Sequence, residues 1–222
     1  MEEIVLIGAS GLAREVIASL RQSRSQRVVG VLDDDSEYLG TTCGGVPVVG
    51  NSFGLSRFLQ ARVLLCVGSG GSRERMVARL NLPLERYATV IDSSVRNPAD
   101  CPIGAGSILL ANVTITADAT IGRHVVMMPS VTVTHDDRID DFATLAAGVA
   151  LGGSVSVGRA AYLGMNSSVH PGVEVGSYST LGMGAVLLRA LPDGETWVGV
   201  PARQLVDGTA SLHLVPGGEA AR

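Results

Sequence analysis

Residues 162–176, "YLGMNSSVHPGVEVG", carry an aliphatic side chain at every sixth position, namely Leu163, Val169 and Val175. The same spacing continues in both directions, so that every sixth residue from Ile103 to Leu187 is aliphatic, fifteen positions in all. A period of six is the signature of a parallel β-helix, in which each hexad supplies one short strand and one corner. Since three hexads make one coil, this part of the chain predicts a β-helix of five coils with the aliphatic side chains inside a narrow prism.

The first 90 residues follow a different pattern, in which apolar strands alternate with helices. We expect strands at "EIVLIGASG", "RVVGVLDDD" and "ARVLLCVGSGG", and helices over 12–22 and about 72–80. Strand, helix and strand in this order predict a parallel sheet, whose ligands bind at the carboxyl ends of the strands. Those ends fall at residues 8–12, 33–35 and 68–71.

Composition and charge exclude several classes of protein. The net charge of −4 and the pI near 5.5 provide no basic surface for nucleic acid. The uncharged stretches 101–117 and 142–158 are broken by glycines and hydroxyl residues, so no membrane span is expected. The start, "MEEIVLIGAS", has no basic region and predicts no secretory signal. Three well-separated cysteines (Cys43, Cys66 and Cys101) are typical of free thiols in a reducing cytoplasm, which we predict as the location.

The glycine turn at residues 8–11, "GASG", is a candidate binding loop. It lacks the G-x-G-x-x-G pattern of dinucleotide-binding domains. Its free backbone N–H groups at the start of a helix nevertheless favour an anion such as a phosphate. Together with the aspartates that end the second strand, the turn predicts a nucleotide-bearing ligand; the alternative is a tight turn without a ligand.

The stretch 131–141, "VTVTHDDRIDD", is the candidate chemical centre. His135 comes two residues after the inward-facing Val133, so we expect its side chain near a corner of the prism. Asp137 stands at a hexad position that small or β-branched residues occupy elsewhere, and a local break in a pattern often marks a functional site. The alternative interpretation is a solvated polar corner without chemistry.

Six motifs in this order resemble one family: "LIGASG", "VLDDD", "THDDRIDDF", "YLGMNSSVHPGVEVG", "LGMGAVLL" and "WVGVPAR". Over nearly its whole length the chain is similar to the sialic acid O-acetyltransferase/bacillosamine N-acetyltransferase family of nucleotide-sugar acetyltransferases. These belong to the hexapeptide-repeat acyltransferases, whose left-handed β-helices trimerise. The resemblance implies an α/β plus all-β chain: a small Rossmann-like nucleotide-sugar-binding domain over 1–90, a linker over 91–100, a left-handed parallel β-helix over 101–190 and a C-terminal extension over 191–222.

The resemblance also implies ligands, partners and site residues. Acetyl-CoA is the co-substrate, in a groove between the β-helices of a homotrimer with active sites between subunits, and no metal is expected. His135 is implied as the general base and Asp136 as its carboxylate, with Asp137 and Asp141 as alternatives to Asp136. The residues implied around the nucleotide sugar are Ser10, Gly11, Leu12, Asp33, Asp34 and Gly68. Those implied along the acetyl-CoA groove are Thr144, Gly164, Met165 and Met183.

Two positions depart from the family pattern. Leu12 stands where the family usually has a histidine, and it cannot supply a hydrogen bond. Asp140 stands where a glycine usually follows the aliphatic residue of the hexad.

The predicted reaction is acetyl transfer from a thioester. A histidine, whose pKa is ordinarily near 6.5, can take a proton from the acceptor and return it to the leaving thiolate, and a carboxylate can orient its ring. We therefore expect an acetyl-CoA-dependent N-acetyltransferase that acts on the amino group of a nucleotide-linked amino sugar. Direct attack without an acyl-enzyme is expected, in the synthesis of a surface polysaccharide or glycan precursor.

Three alternatives remain open at this point. One is an O-acetyltransferase that acts on sialic acid or another sugar hydroxyl, and another is a non-catalytic sugar-binding protein on a transferase fold. The third is a metal lyase like the γ-type carbonic anhydrases, which would need His124, His135 and His170 to converge. Otherwise His124, His170 and His213 are expected to be structural or idle, and the tail from residue 208 to be partly disordered.

Overall fold

A computed structural model describes residues 1–21 and 25–205. The last residue of the first predicted helix, Gln22, and the predicted tail with His213 lie outside the described residues. Within the described part, no helix has both the length and the apolar character needed to cross a membrane.

The N-terminal domain is built on a parallel sheet, as predicted. β1 (Glu2–Ile7) lies between β2 (Gln26–Leu32) and β5 (Arg62–Leu65). Two helices follow β1 and β5, α1 (Gly11–Leu20) and α2 (Gly70–Leu80). The remaining elements are β3 (Thr42–Cys43), β4 (Val46–Pro47) and three 3-10 helices, Ser36–Tyr38, Ser52–Arg57 and Leu84–Arg86.

Serine caps fix where both helices begin. The Ser10 hydroxyl accepts a hydrogen bond from the backbone N–H of Ala13, and Ser69 does the same for Ser72. Because a serine cap satisfies a backbone donor that the first turn leaves unpaired, α2 begins at Gly70, earlier than the sequence pattern predicted.

From Val90 the chain forms a parallel β-helix of about six turns with three faces. Face one contains β6 (Val90–Ile91), β7 (Ile108–Leu109), β10 (Val126–Met127), β13 (Thr144–Leu145), β16 (Tyr162–Leu163), β19 (Thr180–Leu181), β21 (Thr196–Val198) and the antiparallel β22 (Arg203–Gln204). Face two contains β8 (Thr114–Ile115), β11 (Thr132–Val133), β14 (Ala150–Leu151), β17 (Ser168–Val169) and β20 (Val186–Leu187). Face three contains β9 (Thr120–Ile121), β12 (Arg138–Ile139), β15 (Ser156–Val157) and β18 (Glu174–Val175).

The predicted hexad side chains fill the prism. Apart from Ile103 at the open end, every aliphatic residue of the six-residue series is at most 4% exposed. Burial of each of these side chains stabilises the fold by roughly 1.5–3 kcal/mol. The interior of the β-helix is therefore the main source of its stability.

The β-helix extends past the predicted five coils at both ends. Arg96 pairs with Thr114, so the residues predicted as a linker over 91–100 continue the ladder. Asn97 stands at the position of the hexad aliphatic residue, so the six-residue pattern did not predict this coil. At the other end Leu181 pairs with Trp197, sixteen residues later, because the last coil is two residues shorter than the others.

Each corner of the prism has one residue in the left-handed backbone region. The series contains Gly106, Asn112, Asp118, His124, Ser130, Asp136, Phe142, Gly148, Ser154, Ala160, Asn166, Gly172, Tyr178 and Gly184. Asp136 belongs to it with a φ of 62°, a conformation that aspartate and asparagine tolerate better than most residues. The corner geometry therefore determines the direction in which the side chain after His135 points.

The N-terminal domain covers the first coils of face one. Ile108 and Val126, whose side chains point outward from that face, are buried in one apolar cluster with Ile4 and Leu6 of β1. The junction also holds Arg73 of α2, which is fully buried. Its guanidinium donates hydrogen bonds to the carbonyl oxygens of Val67, Gly68, His124, Phe142 and Ala143 and to the hydroxyl of Thr144.

Candidate active site

His135 and Asp136 lie on the corner between faces two and three. The Nδ1 atom of His135 is 2.8 Å from Asp136 Oδ2, and both side chains are more than half exposed. If Nδ1 carries the proton and donates it to the carboxylate, the imidazole is held in the tautomer whose Nε2 is an acceptor. This corner can therefore present an oriented base to the solvent side of the prism.

The backbone on both sides holds this turn in place. Asp136 N–H donates to the Ala117 carbonyl on the preceding coil, at 3.1 Å. Ser154 N–H on the following coil donates to the His135 carbonyl, at 2.9 Å. The turn is thus part of the ladder and not a free loop.

The imidazole of His135 packs over Gly153, one coil further on. A Cβ atom at Gly153 would lie 2.3 Å from both Cε1 and Nε2 of the ring, so no other residue fits there with the ring in this position. Sequence reasoning did not identify Gly153. The signal was the pair of glycines at 152–153, because residues eighteen apart stack in this fold.

Asp137 lies inside the same corner and is fully buried. Its carboxylate accepts hydrogen bonds from the backbone N–H groups of Thr134, at 2.7 Å, and Val155, at 2.8 Å. Burial raises the pKa of this carboxyl to about 6, although these hydrogen bonds act in the opposite direction. Asp137 therefore faces the interior and not the ring of His135.

Asp141, the other alternative partner for His135, lies on the corner between faces three and one. It accepts hydrogen bonds from the backbone and the guanidinium of Arg123. Burial alone would raise the pKa of Asp141, but the Arg123 hydrogen bonds and charge outweigh it and lower the pKa. The structure brings Asp136, and not Asp141, to the histidine.

The glycine turn of the N-terminal domain is tied to the end of β5. The Ser10 hydroxyl donates to the Cys66 carbonyl at 2.7 Å, which brings Ser10 and Gly11 close to the turn that contains Gly68. A Cβ at Gly68 would meet no atom within 4 Å, so open space adjoins this turn. Ser10, Gly11 and Gly68 are thus gathered at the carboxyl ends of β1 and β5, the edge at which such sheets bind ligands.

The two predicted aspartates have different surroundings. Asp33 accepts a hydrogen bond from the Ala9 backbone N–H at 2.6 Å, so it borders the glycine turn. Asp34 forms an ion pair with Arg79 at 2.6 Å and accepts from the Ser52 N–H. Burial opposes ionisation of Asp34, but these hydrogen bonds outweigh it and lower the pKa. Asp33 therefore lies beside the glycine turn, whereas the carboxylate of Asp34 is engaged in the ion pair with Arg79.

Leu12 does not line the open side of the turn. Its side chain is 8% exposed and packs in the core cluster with Val16 of the same helix. The amphipathic pattern of α1 directs this position inward, so the side chain contributes to domain packing.

The residues implied along the acetyl-CoA groove fall into two places. Gly164, Met165 and Met183 lie together on the corner between faces one and two, where the methionine residues are 47% and 66% exposed. Thr144 is buried on face one, where its hydroxyl accepts from Arg73 and donates to the Gly68 carbonyl at 3.1 Å. In a single chain, Thr144 therefore adjoins the glycine-turn side and not the exposed methionine residues.

One chain does not bring the predicted loop and the predicted base together. The N-terminal domain lies on face one, whereas His135 lies on the corner opposite face one. The prism itself stands between them. A reaction that uses both would need a neighbouring copy of the chain.

The three histidines considered for a metal site do not converge. His124 is buried on the corner between faces three and one, with its ring stacked on Phe142 and edge-on to Tyr87. Burial, together with the nearby charge of Arg73, lowers its pKa to about 4. His170 is exposed two coils from His135. Among the residues that the structure describes, no group of three or more histidine, cysteine or carboxylate side chains could hold a metal ion.

Comparison with known proteins gives consistent likenesses. Residues 3–80 match the family model described as the PglD N-terminal domain, and residues 154–189 match the hexapeptide repeat of succinyl-transferase. No curated protein sequence is significantly similar to the chain.

Solved structures are similar over nearly the full chain. A histidine variant of GDP-perosamine N-acetyltransferase from Caulobacter crescentus, in complex with CoA and GDP-perosamine, is 30% identical, with 93% of this chain and 98% of the other covered and a TM-score of 0.85. The acetyltransferase domain of PglB from Neisseria gonorrhoeae FA1090, in complex with acetyl coenzyme A, is 27% identical, with 92% and 99% covered and a TM-score of 0.81. WeeI from Acinetobacter baumannii AYE is 27% identical, with 92% and 100% covered and a TM-score of 0.78.

The fold, with its six-residue repeats, is that of a hexapeptide-repeat acyltransferase. With 30% identity over almost the whole length of both chains, the chain belongs to the family of hexapeptide-repeat nucleotide-sugar acetyltransferases. The family indicated by the sequence motifs is confirmed.

Proposed function

We propose that this chain is an acetyl-CoA-dependent N-acetyltransferase that acts on the amino group of a nucleotide-linked amino sugar. The observation that carries the proposal is the exposed His135, whose Nδ1 lies 2.8 Å from Asp136 Oδ2. With the proton on Nδ1, this arrangement makes Nε2 the acceptor. Complexes of similar proteins with CoA and GDP-perosamine, or with acetyl coenzyme A, support the two ligand classes.

In the proposed mechanism, the sugar amine attacks the thioester carbonyl carbon of acetyl-CoA. His135 Nε2 takes the proton that the attacking nitrogen loses, and Asp136 stabilises the resulting imidazolium. When the tetrahedral intermediate collapses, the C–S bond breaks and the imidazolium returns the proton to the CoA thiolate. The products are the N-acetyl sugar and free CoA, and no acyl-enzyme forms.

The proposed ligand sites use both domains. Ser10, Gly11 and Gly68, with Asp33 beside them, would bind the nucleotide sugar at the carboxyl ends of β1 and β5. Gly164, Met165 and Met183 would line the acetyl-CoA groove on their exposed corner. Leu12, Asp34 and Thr144 would support these sites without touching the ligands. Leu12 is in the core, Asp34 is paired with Arg79, and Thr144 is bonded to Arg73.

We also propose a homotrimer in which neighbouring copies complete each active site. Support comes from the placement of the glycine turn and His135 on opposite sides of one prism, which leaves the base out of reach of its own N-terminal domain. The exposed Met165 and Met183 offer an apolar edge for a neighbour or a ligand. We place the enzyme in the cytoplasm, where the three buried free cysteines would stay reduced.

The product of the reaction tests the proposed chemistry. The protein is incubated with acetyl-CoA and a panel of UDP-, GDP- and CMP-linked sugars, and any acetylated product is treated with hydroxylamine. An amide resists this treatment whereas an ester is cleaved, so a resistant product formed only from an amino sugar is expected. A cleaved product would make the protein an O-acetyltransferase, and no product with any acceptor would favour a sugar-binding protein.

A mixing experiment tests the shared active site. Gly68→Trp places a bulky side chain in the glycine-turn site without backbone strain, and His135→Ala removes the base. If each site combines the loop of one copy with the histidine of another, random mixed oligomers of the two inactive variants recover about a quarter of the wild-type activity. If both parts came from one chain, the mixture would stay inactive.

A further inference from the structure

We propose that Asp137 is a positioning residue for acetyl transfer, because its buried carboxylate fixes the corner that carries His135. The kinetic test of this inference rests on the proposed function, whereas the NMR test of the histidine ring does not. The step that it affects is the alignment of the imidazole with the attacking amine.

Asp137 is exceptional for its place in the repeat. Two residues before each hexad aliphatic, the side chain is directed into the prism, and the other occupants are small or apolar: Cys101, Ser107, Val113, Ala119, Val125, Val131, Ala143, Val149, Val155, Ala161, Ser167, Val173, Ser179 and Ala185. Asp137 alone in this series carries a carboxylate, and it does so two residues after the proposed base.

The two carboxylate oxygens join the parts of the site that hold the ring. Oδ2 accepts from the N–H of Thr134, the residue directly before His135. Oδ1 accepts from the N–H of Val155, two residues after Gly153, over which the ring packs. One side chain therefore links the start of the histidine turn to the coil beneath the imidazole.

Other corners show that a carboxylate is not needed to complete a coil. At two corners where the inward residue is valine, the backbone closes its own turn: Val149 N–H donates to the Ala146 carbonyl, and Val173 N–H to the His170 carbonyl, both at 3.2 Å. At another corner, the Ser107 hydroxyl accepts from Val125 N–H on the next coil, as Asp137 does for Val155. Among the described residues of this inward series, only Asp137 has a second side-chain oxygen, and that oxygen accepts from Thr134, the residue before the histidine.

Burial makes a carboxylate costly at this position, as the raised pKa of Asp137 reflects. Its hydrogen bonds to the N–H groups of Thr134 and Val155 offset part of that cost. The geometry of the turn is what the carboxylate adds.

The test compares three substitutions at this position with a matched control. Asp137→Val removes both hydrogen bonds from backbone N–H groups, whereas Asp137→Ser and Asp137→Asn each retain an acceptor for one of them. Ser107→Val is the control, since it removes the same kind of bond between coils at a corner that does not carry His135.

We expect Asp137→Val to lower kcat by roughly 10- to 100-fold, with KM for both substrates nearly unchanged. A misplaced catalytic group stabilises the transition state less, whereas it affects substrate binding little. Asp137→Ser and Asp137→Asn should lie between Asp137→Val and wild type, and Ser107→Val should match wild type. A normal kcat for Asp137→Val, or an equal loss in Ser107→Val, would overturn the proposal.

A second readout needs no substrate. In nitrogen-15 NMR spectra, the His135 ring should show one tautomer in wild type and in Ser107→Val, and a mixture or exchange broadening in Asp137→Val. An unchanged His135 signal in a folded Asp137→Val protein would contradict the positioning role, even if no acceptor sugar had been found. Absence of acetyl transfer by the wild-type protein would instead count against the proposed function.

Discussion

Arg73 Nη2 donates a 2.9 Å hydrogen bond to Thr144 Oγ1 and so joins α2 of the N-terminal domain to β13 of the β-helix. Another nitrogen of the same guanidinium bonds the carbonyl of Gly68, in the proposed nucleotide-sugar loop. The cation is fully buried, and burial lowers its pKa to about 9. Its partners are backbone carbonyls and the Thr144 hydroxyl instead of a carboxylate, and these bonds fix the loop relative to the prism.

Replacing Arg73 should loosen this junction severely. Arg73→Met leaves several buried carbonyl oxygens without a donor, so we expect a loss of about 3–5 kcal/mol in the free energy of unfolding. Arg75→Met is the control, because Arg75 is exposed on the same helix and bonds only the Ser72 hydroxyl. Urea unfolding of both variants measures the difference, and equal midpoints would show that the buried arginine is not a structural link.

His124 should make the protein sensitive to acid. Its pKa is about 4 in the folded state and near 6.5 in an unfolded chain, so the unfolded state binds the proton more tightly. Stability is therefore lost as the pH falls below 6.5, by about 2 kcal/mol at pH 5.

His124→Phe keeps an aromatic ring against Tyr87 and Phe142 but cannot be protonated. The free energy of unfolding of this variant should fall less than that of wild type between about pH 7 and pH 5. Subtracting the two profiles removes the contributions of the carboxylates. These include Asp137, whose raised pKa stabilises the fold as the pH falls. Identical profiles would mean that His124 does not stay neutral in the fold.

Gly153→Ala should displace the imidazole without unfolding the protein. The new Cβ would lie 2.3 Å from Cε1 and Nε2 of His135, closer than van der Waals contact allows, and the exposed ring can swing outward to avoid it. We expect kcat to fall by roughly 10- to 100-fold, whereas the free energy of unfolding changes by less than about 0.5 kcal/mol. Ser156→Ala, exposed on the same coil, is the control; a Gly153→Ala enzyme with normal kcat would show that the ring position over Gly153 is unimportant.

The aliphatic hexads predicted the β-helix because burial inside a narrow prism imposes one residue type at one spacing. The first extra coil was missed because Asn97 interrupts that spacing, and the last because it is two residues shorter. The domain junction was hidden for another reason. Among the residues of α2 only Gly70 and Arg73 are buried, so the helix shows no apolar stripe that would predict its packing on the β-helix.

The candidate site was predictable where the side chains are adjacent in sequence. His135 and Asp136 are neighbours, and the corner conformation brings them together. Gly153 and Val155 reach the same corner only through the stacking of coils, which a single motif does not reveal. The inward direction of Leu12 likewise depends on the packing of α1 and not on the glycine turn before it.

The most direct test of the account is the release of free CoA thiol from acetyl-CoA in the presence of nucleotide-linked amino sugars, measured for wild type, His135→Ala and His170→Ala. His170 is an exposed histidine on the same side of the prism and serves as the control. We expect release with an amino sugar by wild type and His170→Ala, and its loss in His135→Ala even though that variant still binds acetyl-CoA. Equal rates in wild type and His135→Ala would contradict the account, because the corner formed by His135 and Asp136 would then be only a polar surface.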